Sequence, residues 1–243
     1  AGHAVMHHCL ESVDPVHSVT IVPRGQTGGM TISLPGEDRG YYSKRYMEEE
    51  IAALLGGRVA ESLFLDDIST GASNDIQRAS AMARKMVTVY GMSERLGAVS
   101  FDSGHDEVFI GRSMAQTKTY SEEVAGLIDE EIKAILDTAY ARCREILSQN
   151  MDALERTAQY LLEFETMSAE DFQLVFQPPE VLERRKAEER VQRTRQAEEK
   201  AAEQARLQAA REAEMARRLQ EADEAAQSKE DETPPPPQNP DPF

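Results

Sequence analysis

Apolar residues recur at helical spacing along most of the first 176 positions. Met47, Ile51, Leu54 and Leu55, then Val59, Leu63 and Phe64, predict a helix opened by Ser43 as its cap. Gly56-Gly57 interrupts it. A helical Gly costs about 1 kcal/mol relative to Ala, so the pair implies a close backbone contact. Ile76, Ala79, Ala83, Met86, Val87 and Tyr90 form a second stripe, which Gly91 stops. Val124, Leu127, Ile128, Ile132, Ile135, Ala139, Cys143 and Ile146 make a longer one, capped by Ser121 and broken at Asn150. Met151, Leu154, Leu161 and Leu162 continue on a further helix. Ser168 and Asp171 pair as a cap for a last short helix through Phe176.

The period changes near the start of the chain. Ala1 to about Val13 reads as a helix ended by Pro15. β-Branched Val19, Thr20, Ile21 and Val22 predict a strand stopped by Pro23 and Gly25, and GGMTISLPG predicts a second strand paired with it. Residues 35–43 read as loop, DDISTGASND as a polar connector, and residues 92–119 as irregular or as short strands around VSF and VFI. The expected fold is therefore mainly α, with one small β-hairpin element.

Composition shifts at Gln177-Pro178-Pro179. Three regions follow: a domain over 1–176, an Ala/Glu/Arg-rich helical extension over 177–228, and a Pro-rich, disordered tail over 229–243. The extension reads as a solvated or disordered helix, because Val191, Leu207, Met215 and Leu219 are too sparse for a heptad seam. Lys and Arg number 27 against 44 Asp and Glu, a net charge of −17, which argues against a nucleic-acid partner or attachment to anionic lipid by charge. Cys9 and Cys143 lack any framework spacing and read as reduced residues of a cytosolic setting. No stretch is apolar enough to span a bilayer. The chain starts within a helix and without Met, so the reading expects polypeptide upstream, where any anchor would lie.

Candidate chemistry centres on histidine and aspartate. His3 and His7 are four apart in HAVMH, but Ala4 stands where an H-E-x-x-H zinc helix needs its Glu. His7 and His8 read as ordinary polar positions near a helix end. Asp75 falls in the first turn of a helix, where the dipole favours a charged carboxylate. Read alone, it is a dipole-pairing residue.

Five stretches together resemble the FtsH family of ATP-dependent, membrane-anchored zinc proteases. They are AGH at the start, VTIVPRG at 19–25, LLGGRVAE at 54–61, STGASNDIQRASAMARKMVTVYGMSERLG at 69–97, and SEEVAGLIDEEIKAILDTAYARCREIL beyond. The resemblance covers about residues 1–176. It implies that His3 is the second histidine of an HEAGH zinc motif and a Zn²⁺ ligand, and that Asp75 is the third ligand. It also implies that Glu61 stands near the metal, where it would orient a ligand imidazole; the alternative is an ion pair with Arg58. The first His and the general-base Glu are expected upstream of Ala1, so this chain alone is expected to be inactive. The parent protein would hydrolyse unfolded or membrane proteins as a homo-hexamer. An upstream module would use ATP, and an upstream anchor would hold the protein at the cytoplasmic face of a bacterial plasma membrane.

Protein substrate would add as an extended strand beside Gly28, Gly29, Met30 and Thr31. Alternatively that segment only completes a hairpin. Two rival functions remain at this level: a degenerate, non-catalytic scaffold that keeps ring contacts, and a helical interaction protein acting through its tail.

Overall fold

Gly2–Cys9 forms α1, and this short helix is buried on two sides. Val5 and Met6 enter a core built with Ile51, Val59, Met86, Ile128, Cys143 and Leu147. Ala4 enters a second core with Val16, Val19, Tyr160, Phe164, Met167 and Phe172. The computed structural model describes residues 1–23, 28–35, 40–65, 67–101 and 120–231. Gly25, the VFI stretch and the proline run after Asp231 lie outside the described residues.

The first core is helical. Around α1 stand α2 (Lys44–Leu54), α3 (Gly56–Phe64), α4 (Ser73–Thr88) and α5 (Glu122–Gln149). The expected caps are in place. Ser43 accepts from the Tyr46 N–H at 3.1 Å, and Ser121 from the Val124 N–H at 3.3 Å. Gly91 takes φ +60° just after α4, a left-handed conformation that favours glycine. Asn150 separates α5 from α6 (Met151–Phe164).

The Gly56-Gly57 interruption has its cause in α1. A Cβ on Gly2 would lie 2.3 Å from the Gly56 carbonyl oxygen. A Cβ on Gly56 would lie 3.1 Å from the His3 nitrogen. The helix pair meets backbone to backbone, which only glycine allows at these separations.

The second core holds a three-stranded antiparallel sheet in the order β2-β1-β3, with β1 Val16–Thr20, β2 Met30–Ser33 and β3 Thr166–Ser168. The hairpin forms as the sequence predicts, although β1 ends at Thr20 and leaves Ile21 and Val22 outside it, and β3 is not foreseen. It pairs Val19 with Met167 and Thr20 with Thr166, and the two threonine hydroxyls lie 3.0 Å apart. β1 also starts earlier than its run of β-branched residues suggests. Val16 and Val19 both face the core although three apart, because the ladder slips between Val16 and Ser18 and changes the phase. Ser168 caps α7 (Ala169–Leu174), accepting from the Asp171 N–H at 3.1 Å.

Two other expectations are corrected. α1 ends at Cys9 rather than near Val13, with Leu10 extended. Its continuation is drawn off by tertiary partners: the Ser12 N–H donates to Glu49 at 2.7 Å, and Leu10 and Val13 turn into the core. Leu162 is 78% exposed, because Leu161 takes the inward position and the next residue lies about 100° further round the helix.

Contacts divide the chain into Ala1–Glu183 and Arg184–Phe243. Helix α8 runs over Pro179–Asp231. In the second unit Val191, Leu207 and Met215 are exposed, and Arg193 pairs with Glu189, Arg195 with Glu199 and Arg218 with Glu214 at i, i+4 spacing. Among the described residues no helix is long and apolar enough to cross a membrane. Cys9 and Cys143 are free; burial pushes the Cys143 thiol up to about 12, which suits a core side chain and not a nucleophile.

Glu49 is the one fully buried acid of the first core among the described residues. It accepts from the Ser12 N–H, from Arg45 at 3.0 Å and from Arg142 at 3.3 Å. Burial alone would raise its pKa. The Ser12 and Arg45 hydrogen bonds and the two guanidinium charges outweigh that and hold it below the ordinary value. A carboxylate with a lowered folded pKa stabilises fully above its unfolded value of about 4.3 and loses that contribution as pH falls through the folded value. Glu49→Gln is expected to cost about 2–3 kcal/mol at pH 7. In urea melts the gap from wild type should shrink as pH drops below about 4. A gap that is flat down to pH 2 would reject the ionic role.

Candidate metal centre

α1 and α4 bring His3 and Asp75 together from opposite ends of the described N-terminal region. His3 Nε2 lies 3.4 Å from Asp75 Oδ2, and both side chains are partly exposed. The His3 Nδ1–H donates to the Ala53 carbonyl at 2.9 Å, at the end of α2. That bond fixes the ring and leaves Nε2 as the free nitrogen. A singly protonated ring then turns a lone pair toward a carboxylate, and only a proton or a metal cation between them makes that facing favourable.

Asp75 sits in the first turn of α4, with Arg78 at 3.9 Å from its other oxygen. With a proton on Nε2, His3 is the largest influence on it. Against the cost of burial, that proton and the Arg78 charge hold the carboxyl below its ordinary range.

The pair suits zinc on geometric grounds. Two tetrahedral ligand atoms about 2.0–2.2 Å from Zn²⁺ stand about 3.4 Å apart, and imidazole and carboxylate are ordinary zinc donors. A catalytic zinc takes three protein ligands, and among the described residues no group of three or more His, Cys, Asp or Glu converges. His3 and Asp75 could fill two such positions.

The other residues singled out from the sequence fall as follows. Glu61 is not hydrogen-bonded to the His3 ring, whose Nδ1–H goes to the Ala53 carbonyl. It accepts from the Ser69 hydroxyl at 2.6 Å and from the Ser69 N–H at 3.3 Å, and it forms no ion pair with Arg58. The His7 Nδ1–H donates to the Asp14 carbonyl at 2.8 Å, and His8 stacks on Phe176 with centroids 3.6 Å apart. Neither side chain joins His3. Met30 and Thr31 lie on β2, an edge strand of the sheet. Gly28 and Gly29 precede it. A Cβ on Gly29 would lie 2.9 Å from the Thr20 carbonyl oxygen, so its close approach serves the chain's own hairpin.

A model of peptidase family M41 matches residues 1–175. The chain belongs to peptidase family M41. The ATP-dependent zinc metalloprotease FtsH 1 of Thermoanaerobacter sp. (strain X514) is 56% identical over 176 residues, 72% of this chain and 29% of that protein. FtsH 2 of Alkaliphilus metalliredigens (strain QYMF), also named an ATP-dependent zinc metalloprotease, is 53% identical over 176 residues, 72% of this chain and 26% of that protein. A third so named, FtsH of Caldicellulosiruptor bescii, is 52% identical over 178 residues, 73% of this chain and 29% of that protein. The M41 chain spans less than a third of the length of these curated relatives.

Two elements of this M41 site were not singled out from the sequence, the Ala53 carbonyl and Ser69, and Gly57 was marked for a close contact but not for its bearing on His3. The Ala53 carbonyl carries no sequence signal, since any residue would supply it. Gly57 had one, as half of a costly glycine pair. A Cβ there would lie 2.6 Å from His3 Nε2. Gly57→Ala therefore sets a helix-propensity gain of about 1 kcal/mol against overpacking of about 1–3 kcal/mol. The ring must shift because Ala53 holds its far side. The expected result is zinc affinity lowered about 10-fold or more, read by chelator competition. Wild-type affinity in the Gly57→Ala protein would show that His3 Nε2 does not face the metal.

Proposed function

We propose that this M41 domain is the peptidase part of an ATP-dependent, membrane-anchored zinc endopeptidase, and that His3 and Asp75 are two of its zinc ligands. The observation that carries the reading is the facing of His3 Nε2 and Asp75 Oδ2 at 3.4 Å from two separate helices. The names of the relatives, zinc metalloproteases all, support the choice of metal.

The chain's own residues divide the work. Ala53 fixes the tautomer of His3 and aims Nε2 outward. Asp75 offers a carboxylate oxygen 3.4 Å from that nitrogen, and imidazole with carboxylate is an ordinary zinc donor set. When bound, Zn²⁺ would supply Lewis-acid polarisation of a scissile carbonyl. The edge strand β2, with Met30 and Thr31, would receive an extended peptide by backbone pairing, which suits unfolded protein substrates. The remaining histidine ligand and the general-base Glu would come from polypeptide preceding Ala1. So would an ATPase module and a membrane anchor, with a homo-hexameric assembly at the cytoplasmic face of a bacterial plasma membrane. The greater length of the relatives supports this arrangement.

Asp75→Ala is the direct test in the full-length protein. It is expected to remove most of the stoichiometric zinc, measured by atomic absorption after gel filtration, and with it peptide hydrolysis. Full zinc occupancy in that variant would sink the assignment of Asp75.

A further inference from the structure

Among the described residues Glu61 forms no hydrogen bond or ion pair with either candidate ligand, yet it bonds to the turn that delivers one of them. Its Oε1 accepts from the Ser69 hydroxyl at 2.6 Å, the short distance of a charge-assisted bond, and its Oε2 accepts from the Ser69 N–H at 3.3 Å. Ser69 in turn accepts from the Gly71 N–H at 3.1 Å, at the start of the 3-10 turn Thr70–Ala72. α4 begins at Ser73, and Asp75 is its third residue. Ala72 is buried and pins the other side of the turn. A Cβ on Gly71 would lie 3.2 Å from the Ser69 hydroxyl, so the turn packs closely over that side chain.

Glu61 is also one helical turn beyond Gly57 on α3, and i, i+4 positions share a face. Gly57 bears on His3 Nε2, and Glu61 bears on the turn before Asp75. One face of α3 therefore touches what fixes each member of the pair. We propose that Glu61 is a positioning residue that sets Asp75 against His3 through the Ser69 turn, rather than a zinc ligand or a support for the His3 imidazole. The proposal rests on Asp75 being a zinc ligand.

Zinc dissociation constants of the full-length protein, by chelator competition, test it. Glu61→Ala and Ser69→Ala should each weaken zinc about 10–100-fold, as loss of a group that orients a ligand does. The double variant should be no weaker than the worse single, since both break one chain of contacts. Glu61→Gln should stay within about threefold of wild type, because an amide oxygen still accepts from Ser69. In the metal-free protein the Gly71 amide should exchange faster in both alanine variants, a readout that needs no zinc. Ser69→Ala at wild-type affinity with Glu61→Ala far weaker would overturn the proposal and place Glu61 on the metal. So would Glu61→Gln as weak as Glu61→Ala. An Asp75→Ala protein that keeps wild-type affinity brings down the ligand reading itself. Loss in Asp75→Ala with no loss in the Glu61 and Ser69 variants brings down this proposal alone.

Discussion

The backbone contact between α1 and α3 fixes the geometry of the M41 site. Gly2 and Gly56 meet where no side chain fits, and the next residue on each helix, His3 and Gly57, is set by that meeting. A histidine on a helix packed at ordinary side-chain distance would stand several ångströms further from its neighbours. Here the imidazole lies against α3 and reaches both the Ala53 carbonyl at the end of α2 and Asp75 at the start of α4. The helix-propensity cost of the two α3 glycines is offset by the packing they permit, since α1 then fills the seam between two cores.

The same helix needs a fixed exit. α1 stops at Cys9 because residues beyond it have better partners than one another. Glu49 takes the Ser12 N–H, and the loop carries Leu10 and Val13 inward before β1 begins. A carboxylate buried without partners would be costly; two arginines and a backbone donor make this one a clamp between α2, α5 and the end of α1. Helix α1 is thus held at its start by glycine contacts and at its end by charge, which keeps His3 from turning about the helix axis.

Much of this was legible. Ser43, Ser121 and Ser168 cap the helices they were expected to cap, because capping is local chemistry between neighbours in sequence. The glycine pair announced a close contact through its cost. Helical stripes over α2 to α5 marked out the first core, and Asp75 was placed in a first turn. What was missed depends on residues far apart in the chain. β3 is only three residues long and becomes a strand because β1, nearly 150 positions earlier, offers an edge. Its approach runs through Glu165 at φ +64°, a left-handed turn at a non-glycine residue that carries no sequence mark. The phase change in β1 and the early end of α1 have the same origin: tertiary partners overrode local pattern.

The candidate site divides along the same line. Ligand atoms belong to residue types that a reader looks for, so His3 and Asp75 could be nominated from motifs. The groups that border them are a main-chain carbonyl, a missing Cβ, and a serine hydroxyl in a polar turn, and none of these names a role in a sequence. Glu61 shows the difficulty most clearly. As an acid near a metal motif it invites a role on the metal or on an imidazole. Its actual bonds run to Ser69, eight residues along the same chain, and so to the turn that opens α4. Residue type suggested that Glu61 mattered, and only geometry said through which neighbour. Where an acid's position is fixed by i, i+4 placement on one helix face, the useful question is which element that face touches at each turn. For α3 the answer is α1 at Gly57 and the approach to α4 at Glu61. One face of α3 thus lies beside His3 at Gly57 and beside the approach to Asp75 at Glu61.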